Sequence, residues 1–182
     1  MVFEIKTVLG LLRAFPAIVI YGFGIIGTVL TNKRMLIFTA ILLITDLFNW
    51  CLKEYLFRPL YKNRKSLPLI GSGERPNGAM YCGSFISPND FGKKSTSFGM
   101  PSGHSQMAAL VATYWSLYFY NEHYDNPSDS IIPILLIVFI SLLVLWSRIY
   151  FKCHTLGQVS LGTILGIILG YFSYYLGNQY LV

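Results

Sequence analysis

Two segments of the sequence place a histidine beside groups that bind anions. In residues 101–104 a proline, a serine and a glycine precede His104, a pattern typical of the first turn of a helix. The free backbone amides, the Ser102 hydroxyl and the helix dipole at such a turn would all point at an anion. A histidine next to an anion can act as a general acid. The chemistry indicated is proton transfer at a bound anion.

The second segment joins two apolar runs. Arg148 ends the first run, and a second histidine, His154, follows six residues later. An arginine in this position ordinarily extends its charge to the membrane interface, but here we predict it on the same face as both histidines. Lys53, at the end of another apolar run, adds a further cation to that face. Two Arg-Pro pairs follow it in the chain: Arg58-Pro59 and Arg75-Pro76.

The elements that must position these residues are membrane helices. Of the 182 residues, 54% are hydrophobic and 12% are charged, whereas a soluble domain carries roughly 25% charged residues. This composition excludes a soluble globule of this size, a disordered chain and a disulfide scaffold. Five apolar runs are long enough to cross a bilayer. They lie at about residues 7–30, 35–57, 102–120, 131–150 and 155–181.

We predict an all-α, polytopic membrane helix bundle of about five transmembrane helices, forming one domain over residues 1–182. The first run contains Arg13 and Pro16, so its start is open, and residues 2–12 could instead form an interfacial helix. Glycines at mostly four-residue spacing in the fifth run are expected to let helices approach closely. The polar residues 58–100 are predicted to form one long loop over one membrane face.

The three cysteines lack the spacing of metal ligands. Cys51 and Cys153 lie in or beside apolar runs, and Cys82 lies alone in the polar loop. We therefore expect neither a disulfide framework nor a zinc site, and no metal or other cofactor. Cys153 is expected to be a small buried residue rather than a reactive thiol.

The net charge of +6 is unevenly distributed. With five spans, one face carries the N-terminus, the polar loop and the connection at residues 148–154, and it holds twelve of the fourteen basic residues. The opposite loop, residues 121–130, has three acidic residues and no lysine or arginine. Either the positive-inside rule makes the basic face cytoplasmic, or that face binds an anion. The expected partners are the bilayer and an anionic lipid, without nucleic acid; the oligomeric state is open.

Together, these segments resemble the type 2 phosphatidic acid phosphatase superfamily of membrane lipid phosphatases. The family pattern is Lys, six residues, Arg-Pro; then Pro-Ser-Gly-His; then Ser-Arg, five residues, His, three residues, Asp. Residues 101–104 match the second motif fully, and Ser147, Arg148 and His154 match the third at the right spacing. The resemblance covers about residues 49–162. It implies a helical core like that of the vanadium haloperoxidases.

The sequence departs from the family pattern twice. Gln158 stands where the family has Asp, and in the first motif Arg58 follows Lys53 too closely while Arg75 follows too late. On an α-helix, a residue seven positions after a lysine shares its face, but one five positions later lies about 140° away. We therefore predict an insertion, with Arg75 as the partner of Lys53 and Arg58 as the second choice.

Gln158 indicates one branch of the superfamily. The dolichyl diphosphatases are similar to this chain in His-Thr, two residues, Gln, and also at residues 49–53 and 99–106. Gln158 lies one helical turn after His154, so its carbonyl can accept the Nδ1 proton and leave Nε2 able to attack. On this basis Gln158→Asp is expected to retain activity.

The resemblance implies hydrolysis of a lipid phosphate through a phosphohistidine. His154 would attack the terminal phosphorus, and His104 would protonate the leaving oxygen and later activate water. The phosphoryl oxygens would be held by Lys53, Arg75, Arg148 and the amides of Ser102 and Gly103. The basic segments contain no carboxylate cluster for Mg²⁺, so metal-independent activity is expected.

The leading function is therefore a polyprenyl (dolichyl-type) diphosphate phosphatase of lipid metabolism and glycosylation. The alternatives are a phosphatase of phosphatidic acid or another lipid phosphate monoester, a small anion carrier, and an inactive membrane scaffold, suggested by Gln158. A carrier should place its charges near mid-membrane, whereas these cluster at helix ends. The expected location is an internal membrane such as the endoplasmic reticulum. Lys33 and Arg34, if cytoplasmic, would put the site in a lumen, against the bulk charge count.

Overall fold

The computed structural model describes residues 2–63, 66–68, 70–80, 82–83, 94–123 and 126–179. Its five long helices confirm the predicted all-α bundle. The elements, in chain order, are α1 (Val2–Val29), α2 (Lys33–Cys51), a π-helix (Leu52–Phe57), α3 (Arg58–Leu60), β1 (Ser66–Leu67), β2 (Gly71–Ser72), α4 (Gly103–Glu122), α5 (Pro127–Tyr150) and α6 (Leu156–Gln179).

Four segments of the described chain are long and apolar enough to cross a membrane. They are Gly10–Val29, Lys33–Leu60, Ser128–Tyr150 and Leu156–Gln179. Large apolar side chains cover their outer faces; Ile132 of α5, for example, is 76% exposed. Lipid is the solvent that such a surface requires. Helix α4, which we predicted to be the third span, is not in this set, because polar residues such as Ser105 and Gln106 occupy its first turns.

Helix α4 forms the centre of the bundle. It packs most extensively against α6 and next against α5. Tyr114 and Trp115 of α4 meet Phe38 of α2 and Phe23 of α1, with ring centroids 4.4 Å apart for Tyr114–Phe38 and 5.2 Å apart for Trp115–Phe23. This aromatic cluster fixes the two N-terminal helices to α4, behind the end that carries His104.

Three glycines of α6 form a seam with α4. At each of them an added Cβ atom would collide with a backbone carbonyl oxygen of α4 or of its N-cap residue. The pairs are Gly162 with Ser102, Gly166 with Gln106, and Gly170 with Leu110. The close approach predicted from the four-residue spacing is therefore confirmed, and it is a contact of backbone with backbone.

The N-terminal half differs from the predictions at two places. The apolar first run is a single helix that begins at Val2 and contains Pro16, so residues 2–12 do not form a separate interfacial helix. The polar loop starts after Leu60 rather than at residue 58, because helical structure continues through the π-helix and α3. Beyond it, strands β1 and β2 form a short antiparallel ladder.

Candidate active site

His154 lies in the turn between α5 and α6, and both of its ring nitrogens have partners. Its Nδ1 atom lies 3.0 Å from Oε1 of Gln158, and its Nε2 atom lies 3.0 Å from Nη1 of Arg75. An amide oxygen can only accept a hydrogen bond, and a guanidinium can only donate one. These contacts therefore assign the proton to Nδ1 and leave Nε2 with a lone pair that faces the guanidinium.

The fully buried side chain of Gln158 connects His154 to the polar loop. Its Nε2 atom donates to the carbonyl oxygens of Ser72 at 2.8 Å and of Glu74 at 2.7 Å. These two acceptors orient the amide, so that its oxygen must face His154. A carboxylate could not donate to either carbonyl, which gives a physical reason for an amide at this position. At Gly99 the loop passes so close that a Cβ atom would lie 2.7 Å from the Gln158 amide nitrogen.

Arg75 is braced by the loop and by the turn that holds His154. Its Nε and Nη2 atoms donate to the carbonyl and the hydroxyl of Ser97, at 2.9 and 2.8 Å. Its Nη1 atom also donates to the carbonyl of Cys153 at 2.9 Å. Burial lowers the pKa of Arg75 to about 10, so the guanidinium stays charged at neutral pH. It is a fixed cation beside Nε2 of His154.

Arg58 forms an exposed ion pair. Its Nη1 atom is 2.6 Å from a carboxylate oxygen of Glu54, its Cζ atom is 5.9 Å from the ring centroid of Phe98, and its side chain is 51% exposed. The angular argument made from the sequence assumed an α-helix, but residues 52–57 form a π-helix in which the Arg58 amide bonds to the carbonyl of Lys53. Arg58 therefore lies one turn beyond Lys53, and it lines the same cavity as Arg75, but its guanidinium is paired with Glu54 rather than with His154.

Arg148 is buried completely and is only partly satisfied. Its Nε and Nη2 atoms donate to the hydroxyl of Ser147 at 3.0 and 2.9 Å, and Nη2 also reaches the carbonyl of Leu12 at 3.3 Å. Its Nη1 atom is buried without a hydrogen-bond partner among the described residues. Leaving a buried charged donor unsatisfied is costly, so this nitrogen is suited to an anion.

Lys53 lies within electrostatic range of Arg75 and of both histidines.

His104, in the first turn of α4, contacts α1. Its Nε2 atom lies 2.8 Å from the carbonyl oxygen of Arg13. Because a carbonyl only accepts, Nε2 carries a hydrogen and Nδ1 is the nitrogen left for proton exchange. The sequence motifs did not predict this contact of α1 with His104.

The turn before His104 is arranged differently from the prediction. Ser102 is the N-cap of α4, and its hydroxyl accepts from the amide and the hydroxyl of Ser105 at 3.4 and 2.9 Å. The Ser102 amide donates to the carbonyl of Gln158 at 3.1 Å, so it is not available to a phosphate, and that predicted role is corrected. At Gly103, an added Cβ would lie 3.0 Å from the Asn49 amide oxygen, which places α2 against this turn.

The environment of His154 favours the neutral ring. Burial lowers the pKa of His154 well below its ordinary value, and the positive charges of Arg75 and Lys53 act in the same direction. The hydrogen bond that Nδ1 donates to Gln158 opposes this lowering of the pKa. At neutral pH the imidazole is therefore unprotonated at Nε2, the state that a nucleophile requires.

The prediction of no disulfide was wrong. Cys82 of the polar loop is bonded to Cys153, the residue before His154. The two cysteines are 71 residues apart in sequence, and no known sequence motif pairs cysteines at that distance. Cys153 is fully buried, as predicted. The bond fastens the described part of the loop directly to the turn that carries His154.

A cavity of about 1190 Å³ opens above this arrangement. The loop supplies most of its walls, including Arg75 and Lys94, and Thr155 supplies part of its floor. Within the described segments, no three His, Cys, Asp or Glu side chains are close enough together to hold a metal ion. The site is thus a set of cations around two buried histidines, and the cavity meets it at Arg75.

The sequence profile of the PAP2 superfamily matches residues 34–180. The chain belongs to the PAP2 superfamily. Dolichyldiphosphatase 1 of Dictyostelium discoideum is 36% identical to it over 84 residues, which are 44% of this chain and 36% of that protein. The chain therefore spans about a third of the length of this curated relative, and the match supports the dolichyl diphosphatase branch. No solved structure matches the chain significantly.

Several contacts of this PAP2 site could not be predicted from side-chain motifs. The carbonyl oxygens of Ser72 and Glu74 orient Gln158, and the carbonyl of Arg13 holds His104. Backbone acceptors leave no signature in residue types. One signal was present: Pro16 lacks an N–H, so the carbonyl of Leu12, four residues earlier, has no helical donor and can accept from a side chain.

Proposed function

We propose that this PAP2 protein removes the terminal phosphate from a polyprenyl (dolichyl-type) diphosphate. The observation that carries the proposal is the position of His154. Its Nε2 lone pair lies beside the fixed cation Arg75, and its Nδ1–H donates to the side-chain oxygen of Gln158. The partial match to a dolichyldiphosphatase favours a diphosphate. The apolar outer faces of four helices fit a lipid that arrives from the bilayer.

In the proposed reaction, the Nε2 lone pair of His154 attacks the terminal phosphorus. A bond from phosphorus to the bridging oxygen breaks as the new N–P bond forms. In this step His104 acts as the imidazolium: it gives its Nδ1 proton to the departing lipid phosphate, while its Nε2–H stays on the carbonyl of Arg13. Water then attacks the phosphohistidine, returns a proton to His104 and releases inorganic phosphate. Arg75, Arg148 and Lys53 would neutralise charge on the equatorial oxygens, which is the principal requirement of phosphoryl transfer.

A comparison of three substrates tests the assignment. Purified wild-type protein would be assayed for phosphate release from dolichyl diphosphate, farnesyl diphosphate and phosphatidic acid, with His154→Ala as the inactive control. We expect both diphosphates to be hydrolysed faster than phosphatidic acid. Preference for phosphatidic acid would favour the monoester alternative, and release from none of the three would favour an inactive scaffold.

We further propose that turnover needs no metal ion, because cations of the chain surround His154. Excess EDTA should leave the rate of phosphate release unchanged. Loss of activity with EDTA, restored by added Mg²⁺, would contradict this part of the proposal.

We also propose that the active-site face lies in the lumen of an internal membrane such as the endoplasmic reticulum. The Cys82–Cys153 bond supports this orientation, because disulfides persist in oxidising compartments. In sealed microsomes, a cysteine introduced at the exposed Lys62 should be protected from a membrane-impermeant maleimide. Labelling without detergent would place the face in the cytoplasm.

A further inference from the structure

Helix α1 brings an arginine to the active-site face from outside the region that matches the PAP2 profile. Arg13 lies in the candidate membrane segment Gly10–Val29, whereas the profile begins at residue 34. A charged residue within such a segment is costly unless it has a partner or a function. The motifs of the sequence assign no function to Arg13.

The guanidinium of Arg13 is held at the connection between Arg148 and His154. Its Cζ atom lies 3.9 Å from the ring centroid of Phe151, and Cζ of Arg148 lies 5.8 Å from the same centroid. Cation–π contact fixes the first guanidinium in place. Two positive groups against one ring repel each other, and an anion between or above them would remove that repulsion.

The backbone of the same turn of α1 accepts hydrogen bonds from Arg148 and from His104, the proposed general acid. The carbonyl of Leu12 accepts from Arg148, and the carbonyl of Arg13 accepts from Nε2 of His104. Pro16 cannot supply the N–H that Leu12 would otherwise receive. This turn of α1 therefore borders His104, which is the leaving-group side of the proposed reaction.

A diphosphate has a requirement on that side that a monoester lacks. The transferred phosphoryl group is surrounded by Lys53, Arg75 and Arg148, but the phosphate that remains on the lipid carries charge of its own. In an in-line displacement this second phosphate lies opposite His154, on the side of His104. A cation there would stabilise the departing group.

We propose that Arg13 binds the phosphate that stays on the lipid and thereby makes the site selective for diphosphates over monophosphates. This inference rests on the proposed function and adds to it a residue that determines specificity. It assigns a role in substrate recognition to α1, beyond the packing of that helix in the bundle.

The experiment compares farnesyl diphosphate with farnesyl monophosphate, which have the same lipid chain. Arg13→Gln should lower kcat/KM for the diphosphate about tenfold to a hundredfold, the worth of a hydrogen bond to a charged group, and for the monophosphate less than about threefold. Arg13→Lys should restore part of the loss, since it keeps the charge but not the planar fork. Thermal unfolding of each variant would check that the bundle is intact.

Arg34→Gln is the matched control. Arg34 also lies over an aromatic ring, with Cζ 4.6 Å from the centroid of Tyr118, and its Nη1 atom bonds to Asn178 at the other end of the bundle. This variant should change neither rate. Equal losses on both substrates in Arg13→Gln, or no loss on either, would overturn the inference while leaving the phosphatase intact. Wild-type protein that released phosphate from neither lipid would overturn the proposed function as well.

Discussion

The helical part of the candidate site and its loop part are held by different forces. His104 and Arg148 stand at helix ends, and His154 stands in the short turn before α6. Their positions follow from packing, chiefly the seam of α4 with α6. Arg75 and the carbonyls that orient Gln158 stand on a polar segment whose apolar side chains form only a small cluster, around Tyr61 and Met100. Directed hydrogen bonds and the Cys82–Cys153 bond hold that segment.

This difference separates two kinds of vulnerability. Close packing in a helical core is insensitive to the chemistry of any one polar group, whereas a loop held by a few directed bonds depends on each of them. The proposed nucleophile belongs to the first region, and the cation that faces it belongs to the second. Substitutions in the two regions should therefore affect activity and stability differently.

Removal of the proposed nucleophile should have the largest effect. His154→Ala should reduce kcat for phosphate release by at least about a thousandfold, because it removes the nitrogen that attacks phosphorus in the proposed reaction. A rapid alkaline quench, which preserves an acid-labile phosphohistidine, should trap a phosphoenzyme in the wild type and none in this variant. Full activity of His154→Ala would refute the assignment.

Arg75 and Arg58 provide a matched test of the loop part. Arg75→Ala should lower kcat by about a hundredfold to a thousandfold, since it removes one preorganised donor to the phosphoryl group. Arg58→Ala breaks an exposed ion pair with Glu54 and a contact with the Phe98 ring, and it should lower activity and stability much less than Arg75→Ala does. The reverse ranking in steady-state assays would make Arg58 the partner of Lys53.

Gln158 joins the two regions, so its substitution should report on both. From the sequence we expected an acid at 158 to be tolerated, but the structure changes that expectation. In Gln158→Glu the carboxylate would accept from His154 while facing the carbonyls of Ser72 and Glu74 without a donor. We expect a loss of activity of about tenfold to a hundredfold and faster proteolysis of the loop. Wild-type rates with an unchanged digestion pattern would show that these bonds are dispensable.

The disulfide should matter more for stability than for chemistry. Cys82→Ser should lower the free energy of unfolding by about 2–4 kcal/mol, as expected for a bond that closes a long loop, and activity should fall by less than about tenfold. Cys51→Ser is the control, because Cys51 is a free cysteine in the structure. Thermal unfolding with and without reductant measures the stability of both variants, and phosphate release measures their activity. Equal effects of the two substitutions on stability would argue against the bond.

The pH dependence should show the loop acting on the helical nucleophile. The pKa of His154 in the folded protein lies well below 6.5, so Nε2 stays unprotonated as the pH falls through that value. The acid limb of the kcat/KM profile should therefore lie below pH 6.5. Between the lowered pKa of His154 in the folded protein and its ordinary pKa in the unfolded chain, only the unfolded chain binds the proton. The folded state therefore becomes less stable as the pH falls through this range. In Arg75→Ala the acid limb should move to higher pH; an unmoved limb would show that Arg75 does not influence His154.

The sequence predicted the helical part of the site better than the loop part. Motif spacing identified His104, Arg148 and His154, because helix ends place residues at regular intervals and apolar runs reveal where those ends are. The π-helix at Lys53 was missed, since it changes the number of residues per turn without a change in composition. The Cys82–Cys153 bond and the Ser72 and Glu74 carbonyls were missed because they join distant parts of the chain through groups without a local pattern.

The glycine seam gives the bundle a discrete register. On α6 and on the chain leading into α4 the contacting positions recur every four residues, which corresponds to about 6 Å of axial travel. Any shorter slide of α6 along α4 would press side chains against backbone. A displacement of only about 1 Å is already enough to impair a positioned reaction. The relative position of α4 and α6, and with it the distance between the two histidines, can therefore change only in steps of about one helical turn, not gradually.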